Sequence, residues 1–312
     1  LKNLLDKPDI RKKHDALTPR LGGLAIFGGF ISSIMIFGEL TNGVQYLMAG
    51  CIILFFIGLK DDMVTVSAFK KFFVQMLATG IVMLIGKVRI TGFQGIFGIH
   101  ELPIEYSYIL TFIVIVGITN AFNLIDGLDG LAGSIIFITE ITIGDFFYLN
   151  GSNYSFVAFS LVGGILGFLR YNFKNAIIFM GDTGSLISGF VIAVLAIEFI
   201  EMKLVDSAPA ISVGILFIPI LDTARVFFFR IIKGKSPFMP DRNHIHHLLL
   251  RTGLSQQGAV ITLSILNLSV IALVVSLAFL GNLVLLLGLI GLFLLFVVII
   301  EIVGKRHLKE LE

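Results

Sequence analysis

Four short stretches combine carboxylates, amides and imidazoles inside an otherwise apolar chain. They are Asp61-Asp62; the run Asn123-Leu124-Ile125-Asp126-Gly127-Leu128-Asp129-Gly130; Asn172 with the run Phe179-Met180-Gly181-Asp182-Thr183-Gly184-Ser185; and Pro240-Asp241-Arg242-Asn243-His244-Ile245-His246-His247. Carboxylates at a membrane boundary repel one another and are costly to desolvate unless something compensates them. A divalent cation with oxygen ligands does this, and Mg²⁺ is usually held by one or two carboxylates plus substrate phosphates. Basic residues such as Lys12, Lys13, Lys70 and Arg242, with His246, would hold other phosphate oxygens. Acid, metal and base together point to phosphoryl or pyrophosphate chemistry.

Each stretch also has a plainer reading. Asp61-Asp62 could be a solvated helix boundary. Asn123, Asp126 and Asp129 are three apart, so they share a face if that segment is helical, and otherwise form a polar cap. Gly181 to Ser185 has turn residues, yet it opens an apolar helix whose N-terminus favours anions. The His-Ile-His-His run could bind zinc, but no second cysteine or histidine cluster completes a tetrahedral site, which favours phosphate contact. Asp222 and Arg225 read as an i, i+3 ion pair. Gly163-xxx-Gly167 and the pairs Gly22-Gly23 and Gly28-Gly29 read as helix-packing positions. Glu140 and Asp145 lie in an apolar run, where they must face protein or water, and have no evident partner.

The elements that would position these residues are transmembrane helices. The chain is 56% hydrophobic and 14% charged, with a mean hydropathy of +0.99. A soluble domain carries about 25% charged residues, so a soluble fold is excluded. Runs near the ~20 residues needed to cross a bilayer predict ten spans. They are 21–38, 43–59, 71–88, 107–123, 131–149, 154–170, 184–200, 209–228, 258–280 and 282–303. All of residues 1–312 read as one integral membrane domain. The single cysteine, Cys51, excludes an intrachain disulfide and a cysteine metal cluster. Alternate connections hold 20 of the 23 Lys and Arg residues, leaving Lys87, Arg89 and Lys203 on the other side. The positive-inside rule then places both ends, and all four polar stretches, at the cytoplasmic face.

In this order the motifs resemble those of the polyprenyl-phosphate N-acetylhexosamine-1-phosphate transferase family. The resemblance starts at Thr18-Pro19-Arg20-Leu21-Gly22-Gly23, continues through Asp61-Asp62, Asn123 to Gly130 and Phe179 to Ser185, and ends at Pro240 to His247. The run His244-Ile245-His246-His247-Leu248 resembles the GlcNAc-1-phosphate branch more than the phospho-MurNAc-pentapeptide branch, which typically has three adjacent histidines.

The resemblance implies an all-α enzyme that moves HexNAc-1-phosphate from a UDP-sugar to undecaprenyl phosphate at the bacterial inner membrane, starting a polymer such as lipopolysaccharide or teichoic acid. It implies Mg²⁺, with Mn²⁺ as a substitute, bound by Asp182. Phe179 would stack on uracil, Asp129 and Asn172 would line the nucleotide pocket, and Asn123 and Asp126 would belong to the same site. His246 and His247 would contact the diphosphate, flanked by His244 and Arg242. Asp61 and Asp62 fall where the acceptor is bound or activated. The family pattern also leads us to expect one further N-terminal helix before Leu1. No nucleic acid partner is expected, and Phe-rich spans suit a homodimer as well as lipid. The rival class is an ion-coupled transporter, for which Glu140, Asp145 and Asp222 would be the evidence.

Overall fold

The computed structural model describes residues 5–6, 18–38, 40, 43–234 and 244–310. Apart from a two-residue antiparallel ladder of β1 (Leu5–Asp6) with β2 (Thr18–Pro19), the described secondary structure is helical. The helices are α1 (Gly22–Phe37), α2 (Val44–Met63), α3 (Ala68–Gly80, continued as a π turn to Ile85), α4 (Ile104–Ile125), α5 (Leu131–Leu149) and α6 (Tyr154–Asn172). There follow α7 (Gly181–Glu201), α8 (Ala208–Ile215), α9 (Phe217–Ile232), α10 (Ile245–Arg251), α11 (Gln256–Ser276) and α12 (Asn282–Glu310). Among the described residues, eight of these segments are long and apolar enough to cross a bilayer. The chain is an all-α polytopic membrane protein.

Helix α7 is the axis of the bundle, buried along almost its whole length against α1, α2, α4 and α5. Its small residues allow that crowding. A side chain at Gly189 would press on the backbone of Thr119, and one at Gly58 of α2 on the backbone of Thr183. At the periphery Phe56, Phe69, Ile109, Ile265 and Leu287 turn large apolar side chains outward. Away from helix ends and breaks, backbone polar groups are satisfied within each helix, as a hydrocarbon solvent requires.

The expected spans all contain helix, with two departures. The first, α1, has only 16 residues. The eighth, expected as one span over 209–228, is broken at Leu216 into α8 and α9, which lie 80° apart. Pro219 causes the break: it has no N–H to return to the carbonyl of Ile215. That carbonyl instead accepts from Asn267 Nδ2 of α11 at 3.2 Å.

Of the glycine pairs, Gly22 and Gly23 do pack tightly, against Phe168 and the start of α7. Gly163, Gly167 and Gly28 do not, because no atom lies near where their side chains would be. Asp145 is exposed, whereas Glu140 is fully buried and neither carboxyl oxygen has a partner among the described residues.

The helices alternate in direction, so one end of the bundle gathers the 60s, 120s, 170s–180s and 240s. The other end is tied by the loop after α3: Thr91 donates from its backbone N and its hydroxyl to the Glu201 carboxylate, at 2.9 and 2.6 Å. Near that second end an apolar cleft of about 410 Å³ opens between α4, α7 and the α8–α9 break.

Candidate active site

The site grows from the N-terminus of α7. Four N–H groups there have no partner within the helix, and α7 carries no capping side chain of its own. Asp62, at the end of α2, supplies the missing acceptor. Its Oδ1 takes the N–H of Asp182 at 2.7 Å, and its Oδ2 takes the N–H and hydroxyl of Thr183 at 3.0 and 2.6 Å. Asp62 is 4% exposed. It is fully engaged in fixing the turn that carries Asp182.

Asp61 faces the other way. Its Oδ1 accepts from the backbone N–H of Val66, and its Oδ2 lies 2.7 Å from Lys71 Nζ. The same ammonium donates to Asp182 Oδ2, so Lys71 bridges the two carboxylates. Asn123, near the end of α4, donates to Asp182 Oδ1 at 3.1 Å and to Ser185 Oγ at 2.9 Å. Three helices thus converge on one carboxylate of a fourth.

The stretch after Ile125 is not helical, so Asp126 and Asp129 do not share a helix face. Helix α4 ends at Ile125, Asp126 leaves helical geometry, and Gly130 takes φ +79° to start α5. The resulting loop is latched to the loop before α7. Asp129 Oδ2 accepts from Ala176 N at 3.1 Å, and Asn172 accepts from Gly130 N at 2.7 Å while donating to Ile178 O at 2.8 Å. Phe179 completes that wall with a partly exposed ring. Its N–H donates to Pro19 O, and its carbonyl accepts from Gly22 N, both at 2.9 Å.

Helix α10 closes the site from the side. His246 is 1% exposed and packs on the Asp126–Gly127 turn, where a Cβ on Gly127 would lie 2.6 Å from His246 Nε2. Burial, reinforced by His247, pushes the His246 imidazole down to about 3. His246 is therefore neutral at physiological pH and offers hydrogen bonds rather than charge. His247 is partly exposed beside it, ring centroids 4.3 Å apart. His244 is buried, with Nδ1 2.9 Å from Asp222 Oδ2. Arg242 lies outside the described residues, as do Lys12, Lys13 and the other residues from Pro240 to Asn243.

The charges do not balance. At Asp126, burial and then repulsion from Asp182, Asp62 and Asp129 push the carboxyl up to about 7, with Arg20 pulling the other way. Among the described residues no three acidic, cysteine or histidine side chains form a ready-made metal cage. Asp126, under-compensated and close enough to Asp182 to feel its charge, gives with it a set of oxygen donors that suits a hard cation taking its remaining ligands from water and phosphate. The residues present fit Mg²⁺ on that ground.

Reasoning from sequence missed Lys71, and it placed Arg20 in the first motif without assigning it a role beside Asp126. For Lys71 the signal was present: Lys71, Gln75, Ala78 and Val82 form one helical stripe, whereas Lys70 is exposed. Gln75 fixes that stripe by accepting from Asn120 Nδ2 of α4 at 2.9 Å.

Residues 44–200 match the family model for glycosyl transferase family 4. The undecaprenyl-phosphate alpha-N-acetylglucosaminyl 1-phosphate transferase of Escherichia coli K12 is 32% identical over 269 residues, covering 84% of this chain and 73% of that protein. A Bacillus subtilis protein described as a probable undecaprenyl-phosphate N-acetylglucosaminyl 1-phosphate transferase is 37% identical over 267 residues, covering 84% and 74%. The Salmonella typhi protein with the same description as that of E. coli is 30% identical over 271 residues, covering 84% and 73%.

Proposed function

The chain belongs to glycosyl transferase family 4, and on that footing we propose that it transfers GlcNAc-1-phosphate from UDP-GlcNAc to undecaprenyl phosphate, releasing UMP. The observation that carries this reading is the convergence of Asp61, Lys71, Asn123 and Asp182 at the N-terminus of α7, with Asp126 close by. Acids and one bridging ammonium gathered at a helix end suit a diphosphate with its counter-ion, the acids facing the cation and the ammonium the phosphates. The relatives' descriptions favour the GlcNAc branch over the phospho-MurNAc-pentapeptide branch. The gathering of 20 of 23 Lys and Arg residues in alternate connections supports an active face on the cytoplasmic side, and the bacterial sources of the relatives support the bacterial inner membrane.

Asp182, with Asp126 beside it, would hold Mg²⁺. When bound, the ion would neutralise charge on the diphosphate and favour its alignment. The chain's own groups do the rest. Lys71 bridges Asp61 and Asp182 and favours the charged form of each, although burial and the neighbouring Asp182 still push the Asp61 carboxyl up. Asn123 orients Asp182, and Phe179, on the latched wall, offers a ring for the uracil. His246, neutral and immobile, gives a hydrogen bond to a phosphate oxygen, and His247 sits next to it at the open edge.

The lipid phosphate, with a second pKa of ~6, is already largely a dianion at neutral pH. It needs no general base. One of its oxygens forms a bond to the sugar-bound phosphorus, the bond from that phosphorus to the bridging oxygen breaks, and UMP leaves with the electron pair. A covalent route through Asp61 or Asp62 would need a carboxylate oxygen free to attack. Asp62 already accepts three hydrogen bonds, and Asp61 is held by Val66 and Lys71. That supports direct displacement.

The test is transfer of labelled GlcNAc-1-phosphate from UDP-GlcNAc to undecaprenyl phosphate by purified protein in detergent. Metal-dependent lipid product with stoichiometric UMP, lost in Asp182→Asn, is expected. Absence of transfer from UDP-GlcNAc by folded protein would overturn the donor assignment, and absence from every UDP-sugar would overturn the reading itself.

A further inference from the structure

We infer that Asp222 is a positioning residue for this transfer: it locks His244 and the first turn of α10, and through them holds His246 against the Asp126–Gly127 turn. The inference rests on the transferase reading for its consequence, but not for its geometry. Asp222 is 3% exposed, on α9 just beyond the break at Leu216. Three donors meet its carboxylate. His244 Nδ1 lies 2.9 Å from Oδ2, while the backbone N–H of Ile245 at 3.0 Å and Arg225 Nη2 at 3.1 Å reach Oδ1. The ion pair expected from the i, i+3 spacing with Arg225 is present, but it is one contact of three.

The other two contacts act on α10. That helix has seven residues, too few to persist alone, since isolated helices shorter than about 12 residues are marginal. Ile245 supplies its first N–H group, which has no partner within the helix, and Asp222 accepts it in place of a local cap. His244 precedes it in extended geometry, and its carbonyl accepts from His247 and Leu248. A carboxylate at Nδ1 keeps the proton on that nitrogen and so fixes both tautomer and ring plane. The His244 and His246 rings lie parallel, 7° apart in plane, with centroids 5.8 Å apart. His246 in turn has no slack, because it fills the space over Gly127 that a side chain would need. A shift in α10 therefore moves His246 relative to Asp126. Misplacement of that kind lowers the rate of an aligned reaction more than it weakens donor binding.

The experiment uses the full chain in liposomes with ¹⁵N-labelled histidine, read by solid-state NMR without substrate, and then by transfer kinetics. His244→Gln identifies the His244 signals among those of the six histidines. In the unaltered protein His244 Nδ1 is expected to carry the proton. In Asp222→Asn the amide NH₂ faces Nδ1, so the proton moves to Nε2. There kcat should fall about 10- to 100-fold, the usual scale for losing an orienting partner, with KM for UDP-GlcNAc little changed. An unprotonated Nδ1 in the unaltered protein overturns the inference, as does an unchanged kcat in Asp222→Asn. If Asp222→Asn does not survive purification, two variants at His244 decide. The amide of Asn can stand where Nδ1–H stood and that of Gln cannot, so His244→Asn should keep about tenfold more activity than His244→Gln. Equal losses would overturn the inference. An unaltered enzyme with no transfer activity would sink the transferase reading while leaving the tautomer result legible.

Discussion

Lys71 is the residue on which the charge arrangement turns. Its ammonium touches both Asp61 and Asp182, and Asp126, Asp62 and Asp129 add negative charge around them. Replacing it with a neutral side chain leaves two partly buried carboxylates facing each other without the cation between them. Removing one such preorganised charge typically costs 10²- to 10³-fold in rate, so Lys71→Gln should lose about 100-fold or more in kcat. Lys70→Gln, one residue away but exposed on α3, should lose far less. Equal losses in a side-by-side transfer assay would show that only bulk positive charge at this face matters. Asp61, Asn123, Asp126, Asp182 and the histidines were legible because each is a polar residue in an apolar context. Lys71 was not, because it lies in a basic loop boundary where charge is expected, and only the phase of α3 separates it from Lys70.

At the scale of elements, the first turn of α7 depends on a cap borrowed from another helix. Asp62 of α2 satisfies its N–H groups from 120 residues away, and that same turn carries Asp182. Substituting a capping carboxylate by Ala costs ~0.5–2 kcal/mol, whereas Asn caps nearly as well as Asp. Asp62→Ala should therefore lower Tm in detergent and raise the Mg²⁺ concentration needed for half-maximal transfer, because Asp182 is no longer held. Asp62→Asn should show a milder form of both. A normal Mg²⁺ response in a destabilised Asp62→Ala protein would separate the cap from the metal site. The same scale marks the limit of reading a sequence. Hydropathy located the helices because a bilayer selects for apolar length. It could not find the break at Leu216, since Pro219 alone permits either a kink or a stop, and the partner that stabilises the break, Asn267, is 52 residues away. Nor could spacing show that Asp222 reaches His244. Gly163 and Gly167 have packing spacing but point away from every neighbour.

Across the whole molecule, the candidate site residues gather at one end and a clamped loop closes the other. Asp62, Lys71, Asn123, Asp182 and His246 belong to five different helices, yet all lie at the end where the Lys and Arg residues collect. Such a division suits a reaction between a soluble nucleotide sugar and a phosphate held at the headgroup level by its lipid chain. It also fixes which residues each compartment can reach. The one native cysteine, Cys51, is buried in α2, so single cysteines can be introduced over a quiet background. Lys174, exposed in the loop before α7, lies on the active end, and Phe97, exposed in the clamped loop, lies on the opposite one. With a membrane-impermeant maleimide on intact spheroplasts, Phe97→Cys should label at once and Lys174→Cys only after permeabilisation. The reverse pattern would put the active end outside the cell, away from UDP-sugars, and the charge distribution would then need another explanation. Labelling of both from outside would mean that the bundle does not span as its helices suggest.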